Sequence, residues 1–171
     1  TVMQVINDGN IDLTGDDSLG IYATGTNSQL IDNNLGASIK VGNSTNASDP
    51  GIGIYSGAAG STVKNDGTIT SGINSIGIYN NQGTTTINGT AVHNIGNSGV
   101  GIYATGGLVT LNSGSVFNMG TNGAVAVYGV NSGVINSTNL NIGNSNYGYI
   151  LKGGSLKNTA GTIASLGSDS V

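Results

Sequence analysis

The sequence predicts an all-β fold: a right-handed, single-stranded parallel β-helix, or β-solenoid, of about seven coils of roughly 22–25 residues. Three observations predict it. An apolar tetrapeptide recurs along the whole chain as LGIY at 19–22, IGIY at 52–55 and 76–79, VGIY at 100–103 and VAVY at 125–128. Two further columns, one of glycine and one rich in amides, keep nearly the same step. Helix-forming residues are scarce, because the 171-residue chain has neither Glu nor Arg, while glycine occurs 31 times.

The tetrad opens at residues 19, 52, 76, 100, 125 and, in the degenerate YGYI, 147, with steps of 33, 24, 24, 25 and 22. A glycine column runs through Gly15, Gly42, Gly72, Gly96, Gly120, Gly143 and Gly167. An amide-rich column runs through Asn7, Asp32, Asn65, Asn88, Asn112, Asn136 and Asn158. Columns that share one period define a repeat protein.

Within the tetrad, period-two alternation puts Leu19 with Ile21, and Ile76 with Ile78, on one face. Two more apolar patches per repeat, such as STVKN and GTIT, read as strands between turns of Gly, Asn, Ser and Asp. Three strands per coil, with coils longer than those of hexapeptide solenoids, favour the right-handed winding typical of parallel crossovers. At a spacing of ~4.8 Å each residue rests on its counterpart, so each column must suit contact with itself. Ile over Ile fills an interior, and Asn over Asn passes a hydrogen bond from coil to coil. Glycine at a fixed corner is expected to allow positive φ. Like charges stacked in a column would repel, which accounts for only 7% charged residues.

The two ends lie inside coils. VINDGNI near the start matches VKNDGTI at 63–69, and LGSDSV at the end matches the approach to a further tetrad. With no polar cap legible, residues 1–171 read as one repeat segment excerpted from a longer solenoid. Unpaired strand edges at such ends make end-to-end association a prospect for an otherwise monomeric piece.

Several chemistries find no support. The net charge of −4 leaves no basic footprint for nucleic acid. No apolar run approaches the ~18 residues of a membrane helix, so no direct membrane insertion is expected of this segment. The absence of cysteine excludes disulfides and thiolate metal sites. Glycoside hydrolysis needs two carboxyl groups at a set separation. Asp16 and Asp17 are adjacent, so on a strand they would face opposite ways and read instead as a solvated turn. The lone His93 is in register with Phe117, so ring stacking is expected of it and metal binding is not. No catalytic residue, metal ligand or cofactor is assigned, and the chain is not read as an enzyme.

Two features are candidates for binding. Tyr22, Tyr55, Tyr79, Tyr103 and Tyr128 follow the inward-facing position of the tetrad and should point outward, one above another. Such a stripe suits the apolar faces of sugars or a protein partner, and also suits simple reinforcement of the strand ladder. The second is NSTNASDPG, residues 43–51, an insertion of about six residues between Gly42 and Ile52. Insertions in solenoids emerge as loops on one face, so Asn43, Ser44, Thr45, Asn46, Ser48 and Asp49 are the other binding candidates.

The segments LGIYATGTNSQLIDN, STVKNDGTITSGINSIGIYN and VGIYATGGLVTLNSGSVFNMG resemble passenger domains of very large type V autotransporters, especially fusobacterial outer-membrane adhesins. The resemblance covers essentially the whole chain. It implies a surface-displayed, extracellular β-helix, with a signal and a membrane barrel outside this segment, that binds a host-cell receptor or glycan or other bacteria. A structural stalk without binding of its own is the alternative, and a fragment of a polysaccharide-active β-helix enzyme is a lesser one.

Overall fold

The computed structural model describes residues 2–46 and 48–160 and the backbone of residues 163–164. Every element among the described residues is a β-strand. An incomplete first coil holds β1 (Met3–Asn7) and β2 (Asn10–Leu13). The next is β3 (Leu19–Ala23), β4 (Gln29–Asn33) and β5 (Ser38–Val41), followed by β6 (Ile52–Ser56), β7 (Thr62–Asn65) and β8 (Thr68–Ser71). Then come β9 (Ile76–Asn81), β10 (Thr84–Ile87) and β11 (Val92–Ile95), and β12 (Val100–Thr105), β13 (Leu108–Leu111) and β14 (Val116–Met119). In the last coils the first two strands fuse, giving β15 (Val125–Asn136) with β16 (Leu140–Asn141), and β17 (Tyr147–Asn158) with β18 (Ile163–Ala164).

All pairings are parallel and join one coil to the next. The chain is therefore a parallel β-solenoid. It makes about six turns rather than seven: the tetrad column holds six rungs, β3 to β17, and the other two strand positions gain a seventh through β1 and β2. Gly167, counted toward the seventh coil, lies outside the described residues.

The core is a set of stacked columns. Ile21, Ile54, Ile78, Ile102 and Val127 follow one another in register, and the last four are fully buried. Ile31, Val63, Thr85, Val109 and Val134 form a second column, and Ile39, Ile69, His93 and Phe117 a third.

The tetrad does not alternate as its sequence suggests. Its glycine is skipped in the register, which pairs Leu19 with Ile52, Ile21 with Ile54 and Tyr22 with Tyr55. A β-carbon on Gly20 would lie 2.8 Å from Ile39 Cγ2, on the interior side. The glycine thus acts as a local bulge, and the residue before it leaves the inner column, exposed at Leu19 and half-buried at Ile76 and Val100 but still covered at Ile52 and Val125. Ile76 and Val100 line an outer groove, whereas Ile78 and Ile102 are wholly enclosed.

The amide column is also two columns, side by side. The inner one runs Asn7, Asn33, Asn65, Ile87, Leu111, Asn136, Asn158. Asn88 and Asn112 belong to the next position outward, where Asn34 donates to Asp8 at 2.5 Å, Asn88 to Asp66 at 2.7 Å and Asn112 to Asn88 at 3.1 Å. Asp32 lies on neither; its register neighbours are Ile6 and Lys64. A shift of one residue on a strand exchanges inside for outside, so the two ladders meet different environments.

Glycine at the corner serves close approach at Gly42, Gly72, Gly96 and Gly120, not positive φ. Gly15, Gly42, Gly72, Gly96 and Gly120 are absent from the left-handed region. A β-carbon on Gly96 would lie 2.3 Å from the Gly72 carbonyl oxygen, because the backbones of successive coils pass too closely for one. The left-handed residue comes two positions later, as Asp17, Asn74, Ser98, Asn122 and Ser145, with φ between 54° and 59°. Asp and Asn tolerate this conformation through local hydrogen bonding. Gly96→Ala should therefore cost about 2 kcal/mol, read as a lowered urea midpoint with the slope unchanged.

Candidate functional site

The insertion is stitched to the solenoid before it projects. Asp17 N donates to Asn43 O at 2.8 Å, and Ser44 N to Ile73 O at 2.8 Å. Further along the same corner Asn74 N donates to Asn97 O and Ser98 N to Thr121 O. Asn43 and Ser44 thus continue the corner ladder, and Asn43 Oδ1 also accepts from Ile73 N at 2.9 Å. The projecting part starts at Thr45. It is held by the Asp17 carboxylate, which accepts from Thr45 N at 2.7 Å, from the Thr45 hydroxyl and from Asn46 N at 3.4 Å. These donors hold the Asp17 carboxyl below the usual carboxylate range. Asp17, read from sequence as a solvated turn, anchors the loop.

Beyond the anchor, Asn46 builds its own turn, accepting from Ser48 N at 3.0 Å on its side chain and from Asp49 N at 3.1 Å on its carbonyl. Asn46, Ser48 and Asp49 are exposed at the loop's outer side.

Between the loop and the strand ladder lies an open groove of about 520 Å³, lined by Ser44, Thr45, Pro50, Asn74, Ile76, Val100 and Tyr103. Two separate sequence candidates, the insertion and the tyrosine column, meet here through Ser44, Thr45 and Tyr103. Asn43, Asn46, Ser48, Asp49, Tyr22, Tyr55, Tyr79 and Tyr128 do not line it. Pro50, Asn74, Ile76 and Val100 are not among the binding candidates read from the sequence. The outward turn of Ile76 and Val100 depends on the glycine bulge, which period-two alternation overlooks. The lining carries no formal charge. Burial and the adjoining Tyr128 and Tyr79 push the Tyr103 phenol upward, so it stays protonated at neutral pH.

The tyrosines form one continuous stack. Ring centroids are 4.8 Å apart for Tyr22–Tyr55, 5.0 Å for Tyr55–Tyr79, 5.3 Å for Tyr79–Tyr103 and 4.9 Å for Tyr103–Tyr128. The planes diverge by 5° to 14°. The faces of Tyr55, Tyr79 and Tyr103 are therefore covered from both sides, leaving edges and hydroxyls to solvent. A sugar that stacks on a ring face would find one open only at the ends. Tyr22 is 59% exposed, and Tyr128 has the Lys152 ammonium 5.5 Å from its ring centroid. Each stacked pair contributes about 0.5–1.5 kcal/mol, so the column reinforces the ladder whatever else it does.

His93 stacks on Phe117 at 5.0 Å with the rings 10° from parallel, as its register suggested. It is 1% exposed, and Asn65 Nδ2 lies 2.9 Å from its Nε2. No group of three or more potential metal ligands occurs among the described residues.

The fold places the chain in the class of parallel β-solenoids. No family model matches it, and no match was found among the curated proteins or the solved structures.

Proposed function

We propose that this chain is a non-catalytic shaft segment of a surface-displayed bacterial adhesin of the autotransporter type. The observation that supports the shaft is the in-register stacking of coils through one 11-stranded parallel sheet, each coil adding ~4.8 Å of reach. Surface display and the adhesin context rest on the resemblance of the coils to fusobacterial passenger domains. The shaft is tested by removing one whole coil, residues 76–99, and measuring the long dimension by small-angle scattering. A cooperatively folded protein shorter by ~4.8 Å is expected; an aggregated or unfolded product would refute a modular shaft.

The groove beside Thr45 and Tyr103 favours a second reading, in which this segment itself contacts a host-cell receptor or glycan or another bacterium. Saturable binding of the purified chain to epithelial cells or a glycan array, lost on deleting residues 45–50, would establish it. Binding no greater than background would leave the shaft alone.

A further inference from the structure

The tyrosine stack has a chemical consequence beyond packing. Five phenols stand in register with centroids no more than 5.3 Å apart, and their edges reach solvent. We propose that this column is a site of oxidative cross-linking, in which neighbouring tyrosines join as dityrosine and staple one coil to the next. The co-reactant is a haem peroxidase with hydrogen peroxide. Each of two phenols gives up one electron and one proton. The two ring radicals then couple through their ortho carbons, forming one C–C bond. Each ortho hydrogen moves to the ring oxygen as aromaticity returns. In sum, two tyrosines and one hydrogen peroxide give one dityrosine and two waters.

The geometry favours this product in two ways. First, strand pairing fixes the partners, with Tyr22 against Tyr55, Tyr55 against Tyr79, Tyr79 against Tyr103 and Tyr103 against Tyr128. A radical formed on any ring therefore has a phenol beside it at an effective concentration of millimolar or more, far above that of a second molecule in dilute solution. Second, none of the competing sinks that cysteine or tryptophan would offer exists, since the chain contains neither. Tyr147 and Tyr149 stand outside the stack. Tyr147 lies over Val125 and Tyr149 over Val127.

Two double variants, each with five tyrosines, separate a stack-directed reaction from a random one. Tyr55→Phe with Tyr103→Phe keeps aromatic rings in place but leaves Tyr22, Tyr79 and Tyr128 two rungs apart, roughly 10 Å. Tyr147→Phe with Tyr149→Phe leaves the stack intact. The full chain and both variants are treated at micromolar concentration with horseradish peroxidase and hydrogen peroxide. Dityrosine fluorescence of the monomer band is measured, and links are located by peptide mapping. The expected result is a loss of at least ~10-fold in the first variant and none in the second. In the full chain the links should join tyrosines of adjacent coils. Equal yields in the two variants, links that involve Tyr147 or Tyr149, dityrosine confined to covalent dimers, or no dityrosine in the full chain would each overturn the proposal. Mapping of the unaltered chain decides the question even where a variant folds poorly.

Discussion

Asn65→Ala should destabilise the solenoid by about 4 kcal/mol, because it strands two buried polar groups at once. Asn7 Nδ2 donates to Asn33 Oδ1 at 2.8 Å, Asn33 Nδ2 to Asn65 Oδ1 at 2.7 Å, and Asn65 Nδ2 meets His93 Nε2 at 2.9 Å. The direction of this chain is fixed at its start, where Asn7 Oδ1 accepts from Gly9 N and Asn7 Nδ2 also donates to Ser38 O. Asn65 therefore presents its amino group to the imidazole, and Nε2 is the acceptor. Without the Asn65 amide, Asn33 loses its acceptor and His93 its donor, each worth about 1–3 kcal/mol when left unpaired in the interior. Volume is not the obstacle, since the same column carries Ile87 and Leu111 one and two rungs on. Asn65→Leu should accordingly remain damaging alone. Combined with His93→Phe it should cost less than the sum of the two single changes, by about 1–3 kcal/mol. Urea titrations of the four proteins measure that coupling, and strict additivity would refute the ladder.

Acid should weaken the fold well above the range in which carboxylates titrate. Burial pushes the His93 imidazole down to about 3 from 6.5. The folded state thus prefers the neutral ring. The stability linked to it is complete above pH 6.5, falls by about 1.4 kcal/mol per pH unit below that, and is exhausted near pH 3 after a loss of about 5 kcal/mol. Protonation also makes Nε2 a donor facing the Asn65 amino group, so the charged ring meets the wrong end of the amide ladder. Its other nitrogen, Nδ1, has no hydrogen-bond partner to receive the charge. Among side chains only His93 has its ordinary pKa near 6.5, because the chain has a single histidine. Asp32, whose carboxyl burial pushes upward, works in the opposite sense, gaining stability as it protonates. Asp17, held low by Thr45, adds its loss only below the usual carboxylate value of 3.8. Urea midpoints between pH 7 and 4.5 should fall steeply in the parent and stay nearly flat in the Asn65→Leu, His93→Phe double variant. A flat profile in the parent would refute the assignment.

The parallel coil, the tyrosine column and the pairing of His93 with Phe117 were legible because stacking places equivalent residues over one another, leaving a period in the sequence. So was the insertion, as excess length between two landmarks. The facing of side chains turned on single residues. Asp32 is read in the amide column that Asn33 occupies, and Asn88 and Asn112 are read in one column with Asn65 although they lie on the neighbouring ladder. Neighbouring amides such as Asn33 and Asn34 look alike in a list, but on a strand one faces the core and the other water. The tetrad glycine had the same effect on Ile76 and Val100.

The period is written into the order of residues, since each coil must match its neighbour. Packing in three dimensions sets which side of each strand faces inward, ties the loop to Asp17 and brings Thr45 and Tyr103 to one groove. Those relations depend on bulges and on contacts between residues far apart in the chain. A repeat length is blind to both.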